Sequence, residues 1–214
     1  MNAYRDRSTL LLALAILALS VGMATPSGAQ EAVLELNPAT TRVDFTLRGF
    51  PHTVHGTFKL KRGTIRVDSA TGNADGLVIV DAASGDSGNH ARDSEMNESI
   101  LETQRYPEIR FTLQRVEGQG VPQGEFRVKV RGLFWLHGTE HEVTLDAQAR
   151  LAGQEWTATT HFVVPYVAWG LRDPSIFILR VADKVEIDLT ATGHVTWTPV
   201  VQTKSGGPPK ESGH

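Results

Sequence analysis

The sequence predicts an all-β chain folded as a single antiparallel barrel of about eight strands, with one short helix inserted between its early and late strands. Three observations predict it. Stretches in which apolar and polar residues alternate recur from Val33 to Trp197, the period of a strand with one buried face. The connections between most of them are short, which suits antiparallel pairing, because parallel strands need a longer crossover. One interruption, over 81–107, carries apolar residues at helical spacing instead.

Taken from the amino terminus, residues 1–29 read as an export signal. Arg5 and Arg7 precede the apolar run 10–19, and Thr25-Pro26-Ser27-Gly28-Ala29 supplies small residues before Gln30. That charged, apolar, small-residue order places cleavage after Ala29. The run is shorter than the ~20 residues of a membrane span, and no later segment replaces it. The expected location is therefore the periplasm or the cell exterior, with no spanning segment. Removing 1–29 leaves 185 residues with 19 basic and 23 acidic side chains, a net charge of −4. That is enough chain for one domain over 30–198 with a sizeable core. Mild acidity speaks against a nucleic-acid partner, which needs a concentrated cationic surface. The absence of cysteine excludes disulfides, thiolate nucleophiles and thiolate metal sites. An exported chain without disulfides depends on its packed core, as a closed barrel does.

Strands are expected at 33–36 and 42–47, separated by the turn-prone Asn37-Pro38; in the second, Val43, Phe45 and Leu47 share one face. Another is expected at 53–60, with Val54 and Phe58 among polar neighbours. Lys61-Arg62-Gly63 then predicts a turn into 64–67, and 69–73 a second turn before 76–80. Residues 84–89 read as a loop. Met96, Ile100 and Leu101 predict a helix within 90–103, capped by Asn89 or Asp93 and stopped by Pro107. It is expected to cover one mouth of the barrel or lie against its wall. Longer strands follow at 108–116, 124–136, 140–151, 154–163 and 183–197. Gly132 and Gly138 mark a bend or bulge. The tail 199–214 has Ser, Gly, Pro and Lys without period beyond Thr203, and reads as disordered.

Catalytic signals are weak. His52 and His55 are three apart near a turn, and His137 and His141 four apart across Gly138-Thr139-Glu140. Neither is the helical His-Glu-x-x-His signature. A hairpin could bring His137 and His141 together, with His52, His55 or Glu140 completing a metal site, but solvated or backbone-bonded turn histidines are the plainer reading. Glu98 and Glu102 share a helical face and fit a solvated acidic surface better than an acid–base pair. None of the eight serines beyond Ala29 sits in a Gly-x-Ser-x-Gly elbow. No cofactor is expected.

Apolar signals are stronger. Phe45, Phe50, Phe58, Phe111, Phe126, Phe134, Trp135, Phe162, Tyr166, Trp169 and Phe177 recur in or beside the strands. An eight-stranded barrel either fills its centre with side chains or holds one small ligand. An extended apolar chain there would gain about 25 cal/mol per Å² of buried surface. The segment 164–175 (VPYVAWGLRDPS) reads as a structured, aromatic-bearing loop in which Arg172 bonds Asp173, backbone carbonyls or a ligand head group.

Several segments resemble the YceI-like family of exported polyisoprenoid-binding proteins. They are Thr40-Thr41-Arg42-Val43-Asp44-Phe45, His52-Thr53-Val54-His55-Gly56-Thr57-Phe58, Arg92-Asp93 and Tyr106-Pro107-Glu108-Ile109-Arg110-Phe111. Val130-Arg131-Gly132-Leu133-Phe134-Trp135-Leu136-His137-Gly138 and Trp169-Gly170-Leu171-Arg172-Asp173-Pro174-Ser175, running into Val181-Ala182-Asp183-Lys184-Val185, complete the set. The resemblance spans about 32–192. It implies a lipocalin-like barrel and non-enzymatic binding or transport of an isoprenoid lipid, either a polyprenyl chain or a quinone. By the same analogy Phe45, Phe58, Phe111 and Phe134 are pocket or wall residues, and His52, Arg92 and Arg172 polar contacts near an opening. Met96, Ile100 and Trp169 join them as ligand contacts, and a homodimer is the candidate assembly. This chain departs from the family habit at Ser94-Glu95-Met96-Asn97-Glu98-Ser99-Ile100-Leu101, where a His-Leu-Arg-Ser segment is usual, and at Thr40-Thr41, where His-Ser is frequent. Two other functions remain open on the residues alone: a structural or stress-related interaction protein with a filled barrel, and a metal-assisted hydrolase using turn histidines.

Overall fold

The computed structural model describes residues 30–69, 71–118, 123–175 and 180–199. The leader expected over 1–29, Phe177 and all of the expected tail except Pro199 lie outside those residues. The strands, in chain order, are β1 (Gln30–Leu36), β2 (Arg42–Leu47), β3 (Gly49–Phe50), β4 (Val54–Asp68), β5 (Asn73–Asp86), β6 (Glu108–Glu117), β7 (Gly124–Leu136), β8 (Thr139–Ala152), β9 (Glu155–Val164), β10 (Arg180–Val181) and β11 (Val185–Pro199). Between β5 and β6 lie a short helix, α1 (His90–Glu95), and a π-helical turn, Met96–Ile100.

β1 and β2 are two halves of one stave. Both lie between β4 and β11: Leu34 of β1 stands opposite Ile65 and Val195, and Phe45 of β2 opposite Gly56 and Ile187. The break between them is the expected Asn37-Pro38 turn, where the Asn37 side chain accepts the Ala39 amide at 2.9 Å. Counted as one, they give eight staves in the cyclic order β1/β2, β4, β5, β6, β7, β8, β9, β11, every neighbour antiparallel, with β11 closing onto both β9 and β1/β2. Closure leaves no free sheet edge around the filled part of the shell. β3 and β10 form a two-residue ribbon on the rim, Phe50 opposite Arg180.

Two stretches differ from the sequence expectation. Lys61-Arg62-Gly63 is not a turn; β4 runs through it with a register shift between Leu60 and Arg62, a bulge. A Cβ at Gly63 would press on the Leu36 side chain at 3.0 Å. β5 likewise continues through Ser84, expected as loop, where the Lys59 amide donates to the Ser84 hydroxyl at 2.8 Å. Small and hydroxyl residues there keep an irregular ladder satisfied rather than ending it.

α1 starts as expected, with the Asn89 side chain accepting the Arg92 amide at 3.0 Å. Asp93, the other capping candidate, accepts the Ser87 amide at 3.0 Å instead. The helix ends short of 103: Glu102 takes a left-handed φ of 46°, so the chain turns before Pro107 is reached. Between β7 and β8, His137 (φ 50°) and Gly138 (φ 86°) are both left-handed, as a two-residue type I′ hairpin requires.

The far half of the barrel is solid. Ala32, Leu36, Leu60, Leu151, Trp156, Ala191 and Val195 form one buried cluster, with Phe126 and Trp197 packed against it. Each large aliphatic there contributes about 1.5–3 kcal/mol by leaving water. One part of the wall is incomplete. The β8–β9 ladder runs from Ala152 opposite Glu155 to Ala147 opposite Thr160 and then stops. β8 stays paired with β7 as far as Thr139, and β9 with β11 as far as Val164. At the last rung the Thr160 hydroxyl donates to the Asp146 carbonyl at 2.8 Å.

Candidate ligand-binding cavity

The near half of the barrel, where β2, β7 and β9 end and β4, β6 and β11 begin, is hollow. The void is about 490 Å³, within the roughly 300–1,000 Å³ typical of small-molecule sites. Its wall is built from inward positions of the staves: Phe45 and Leu47 on β2, Val54 and Phe58 on β4, Ile109 on β6, Phe134 and Leu136 on β7, Val164 on β9, Val185 and Ile187 on β11. Phe45 and Phe58 meet with ring centroids 5.3 Å apart. The roof is the helical segment. Met96, Ile100 and Leu101 all face the void, and the π turn explains how. The Leu101 amide donates to the Met96 carbonyl at 2.8 Å, an i→i+5 closure that brings residues four and five apart onto one side.

Among the described residues lining the void, the polar side chains other than Tyr166 sit at the rim. Arg92 lies there with two bonds to Ser87, Nε to the hydroxyl at 2.8 Å and an Nη2 donation to the carbonyl at 2.9 Å. His52 stands beside Gly49 on the same rim. Arg172, on the loop 165–175, reaches across to Glu95 of α1 at 3.3 Å, tying the loop to the roof. Outside the rim Arg48 makes a two-pronged pair with Glu186 at 2.7 and 3.1 Å, which holds the Glu186 carboxyl below its usual range through hydrogen bonding.

Among the described residues, Tyr166 is the one ionisable side chain set deep in the wall. Its hydroxyl donates to the Ala182 carbonyl at 2.7 Å, fixing the loop against the segment that follows β10. Burial, with Asp173 and Asp183 adding, pushes its pKa up from 10 to about 12. An absorbance titration of the phenolates is expected to show one tyrosine ionising near 12. Because the folded state holds this proton more tightly, its contribution is complete below pH 10 and is lost as pH rises towards 12. Loss of the late titration step in Tyr166→Phe would confirm the assignment, and its persistence would refute it.

Seven residues that the sequence singles out line the void: Phe45, His52, Phe58, Arg92, Met96, Ile100 and Phe134. Three do not. Phe111 sits deeper, its ring where a Cβ on Gly132 would fall, at 2.7 Å. Trp169 lies behind the wall, stacked on His141 with centroids 4.0 Å apart and planes 4° apart. Arg172 is engaged with Glu95 above the rim. Other lining residues, among them Leu47, Leu136, Tyr166, Leu171, Val185 and Ile187, are not named as ligand contacts by the sequence reading. Four of these are inward members of strands it had identified, and alternation could have named them. Among the other aromatics, Phe126 belongs to the solid half, Trp135 stands under Arg110 at 4.8 Å, and Phe50 is 71% exposed.

The histidines do not assemble. His55 bonds Thr46 at 3.0 Å, His137 approaches Glu102 at 3.4 Å, and His141 packs on Trp169. Among the described residues no three His, Asp or Glu side chains group as metal ligands. A larger depression of about 830 Å³ lies across β7, β8, β9 and β11. Its walls carry ion pairs such as Lys129–Asp146 and His161–Asp188, and it lies more open to solvent than the void.

A closed eight-stave barrel with an apolar chamber under a short helix defines the lipocalin-like class of carrier folds. Within it, this chain belongs to the YceI-like family, whose YceI-like domain matches residues 34–193. Among solved structures it is similar to BcnA of Burkholderia cenocepacia (18% identity, 74% of this chain and 99% of that one, TM-score 0.62). It is also similar to a polyisoprenoid binding domain from Saccharophagus degradans implicated in plant cell wall breakdown (15% identity, 79% and 99% coverage, TM-score 0.57). A third likeness is the YceI protein of Campylobacter jejuni (15% identity, 62% and 79% coverage, TM-score 0.51). At these identities the likeness is one of fold. No curated protein matches the chain. The family is one of non-catalytic carriers of lipids and other hydrophobic ligands, typically periplasmic or secreted. No helix among the described residues is long and apolar enough to cross a membrane.

Proposed function

We propose that this protein is exported, loses residues 1–29 near Ala29, and binds a long isoprenoid lipid, a polyprenyl chain or isoprenoid quinone, in the near half of its barrel without any covalent step. The observation that carries the reading is the void itself. It is walled by aliphatic and aromatic side chains, and, Tyr166 apart, its few polar groups stand at the rim. Burial of apolar surface is the whole of the binding energy, at about 25 cal/mol per Å². At roughly 30 Å³ per water-sized atom, the space admits on the order of 15 carbons, so a few prenyl units enter and the rest of a long chain emerges. The solved polyisoprenoid binding domain of the same fold supports this ligand class. Phe45, Phe58, Met96, Ile100 and Phe134 act as the apolar contacts, with His52 and Arg92 beside the emerging end. The homodimer expected from the sequence is a separate part of the reading, decided by sedimentation velocity.

Organic extraction of the native protein followed by mass spectrometry is expected to release a prenyl-bearing lipid in near-stoichiometric amount. Repeated recovery without lipid, together with no uptake of offered isoprenoid quinones, would reject the reading.

A further inference from the structure

One side of the chamber is not closed by backbone. β7 and β9 both contribute to its wall, through Phe134, Leu136 and Val164, but β8 between them contributes nothing. This is the stretch where the β8–β9 ladder is absent: past Ala147 and Thr160 the two strands face each other without pairing. Side chains take the place of the wall. Trp169 lies flat on His141, 5.7 Å from Phe134, and Phe162 meets Phe134 from the β9 side at 6.1 Å. The indole thus stands between the chamber and the gap.

This closure is a single side-chain stack, whereas the roof is a whole helical segment. Trp169 is carried by the loop 165–175, beside Gly170, whose φ is 94°. His141 Nε2 is out of water and has no hydrogen-bond partner, an unfavourable state that an opened stack would relieve by admitting water. Opening at the roof would require breaking Arg172–Glu95 and lifting the whole helical segment. The exposed apolar side chain of Val163, 45% accessible, flanks the gap on its outer face.

We propose that the gap between β8 and β9 is the passage by which the apolar ligand enters and leaves, closed at rest by the Trp169–His141 stack. The proposal rests on the carrier reading above. It is tested in the full chain with Thr144→Cys and Val163→Cys together, which continue the register of Ala147 opposite Thr160 on the outer face. With no native cysteine, the only cross-link that oxidation can form within the chain lies across the gap. The readout is the release rate of N-phenyl-1-naphthylamine on mixing with phosphatidylcholine vesicles. Oxidation is expected to slow release about tenfold or more, with reduction restoring it, and Trp169→Ala is expected to speed release in the uncrosslinked chain. Equal rates in oxidised and reduced forms would overturn the passage. If the cross-link does not form, Trp169→Ala decides: faster release supports the proposal and an unchanged rate overturns it. Failure of the parent chain to take up the probe at all would instead reject the carrier reading.

Discussion

Ile100→Asp is expected to lower the affinity for an offered isoprenoid quinone by about 30-fold or more, while the thermal midpoint moves by only a few degrees. Ile100 lies on the underside of the roof with Met96 and Leu101. A carboxylate placed there keeps its water while the chamber is empty, because no residue of α1 or the π turn is fully buried. A bound prenyl chain would strip that water. Removing a polar group from water without a partner costs at least about 2 kcal/mol, and more for a charge, which is roughly 30-fold in affinity. The change in folding stability should stay near 1 kcal/mol, or about 2–4 °C for a chain of this size. Fluorescence titration with calorimetry of the same samples separates the two quantities, with the exposed Glu98→Gln as the comparison. Unchanged affinity in a folded Ile100→Asp protein would show that the helix is not a wall of the site.

The staves were legible in the sequence because alternation reports which face is buried, and it does so even where the strand bends. β7 was read to the residue for that reason. Glycine and hydroxyl signals were less reliable, since they mark any departure from a regular ladder and not only a turn. Gly63 marks the pressure of Leu36 on a bulged strand, and Ser84 a side chain standing in for a rung. The site was legible only in part. Phe45, Phe58 and Phe134 could be placed on inward faces, but nothing in a period of two distinguishes the hollow end of a stave from the filled end. Phe126 and Phe134 share a face of β7 and serve different halves. The missing β8–β9 rungs are invisible in sequence, because both strands keep their alternation by pairing on their other sides.

Gly193→Ala is expected to do the opposite of Ile100→Asp: to destabilise the fold by about 3 kcal/mol, the upper end of ordinary overpacking, while leaving ligand affinity unchanged. Gly193 stands opposite Leu36 of β1 and Trp156 of β9. A Cβ there falls on the Glu35 carbonyl oxygen and comes within 3.1 Å of the Leu36 Cα. These are backbone atoms, so no side chain can swing aside. Moving them disturbs the adjoining bond from the Asn37 amide to the Thr192 carbonyl, 2.8 Å long, at the point where the divided stave passes from β1 to β2. The expected fall in the thermal midpoint is roughly 6–12 °C. Gly153→Ala, at a turn with φ 66° and open space around it, meets no such obstacle and should cost only the strain of a left-handed residue, about 1–2 kcal/mol. The contrast rests on a division of labour within one shell. The solid half around Leu36, Trp156 and Val195 sets stability, and the hollow half can therefore leave its centre empty. If the two effects proved inseparable, with Gly193→Ala also abolishing ligand uptake in the folded protein at a temperature well below its midpoint, the halves would be one cooperative unit. The chamber would then be a consequence of the core packing and not a site carried by it.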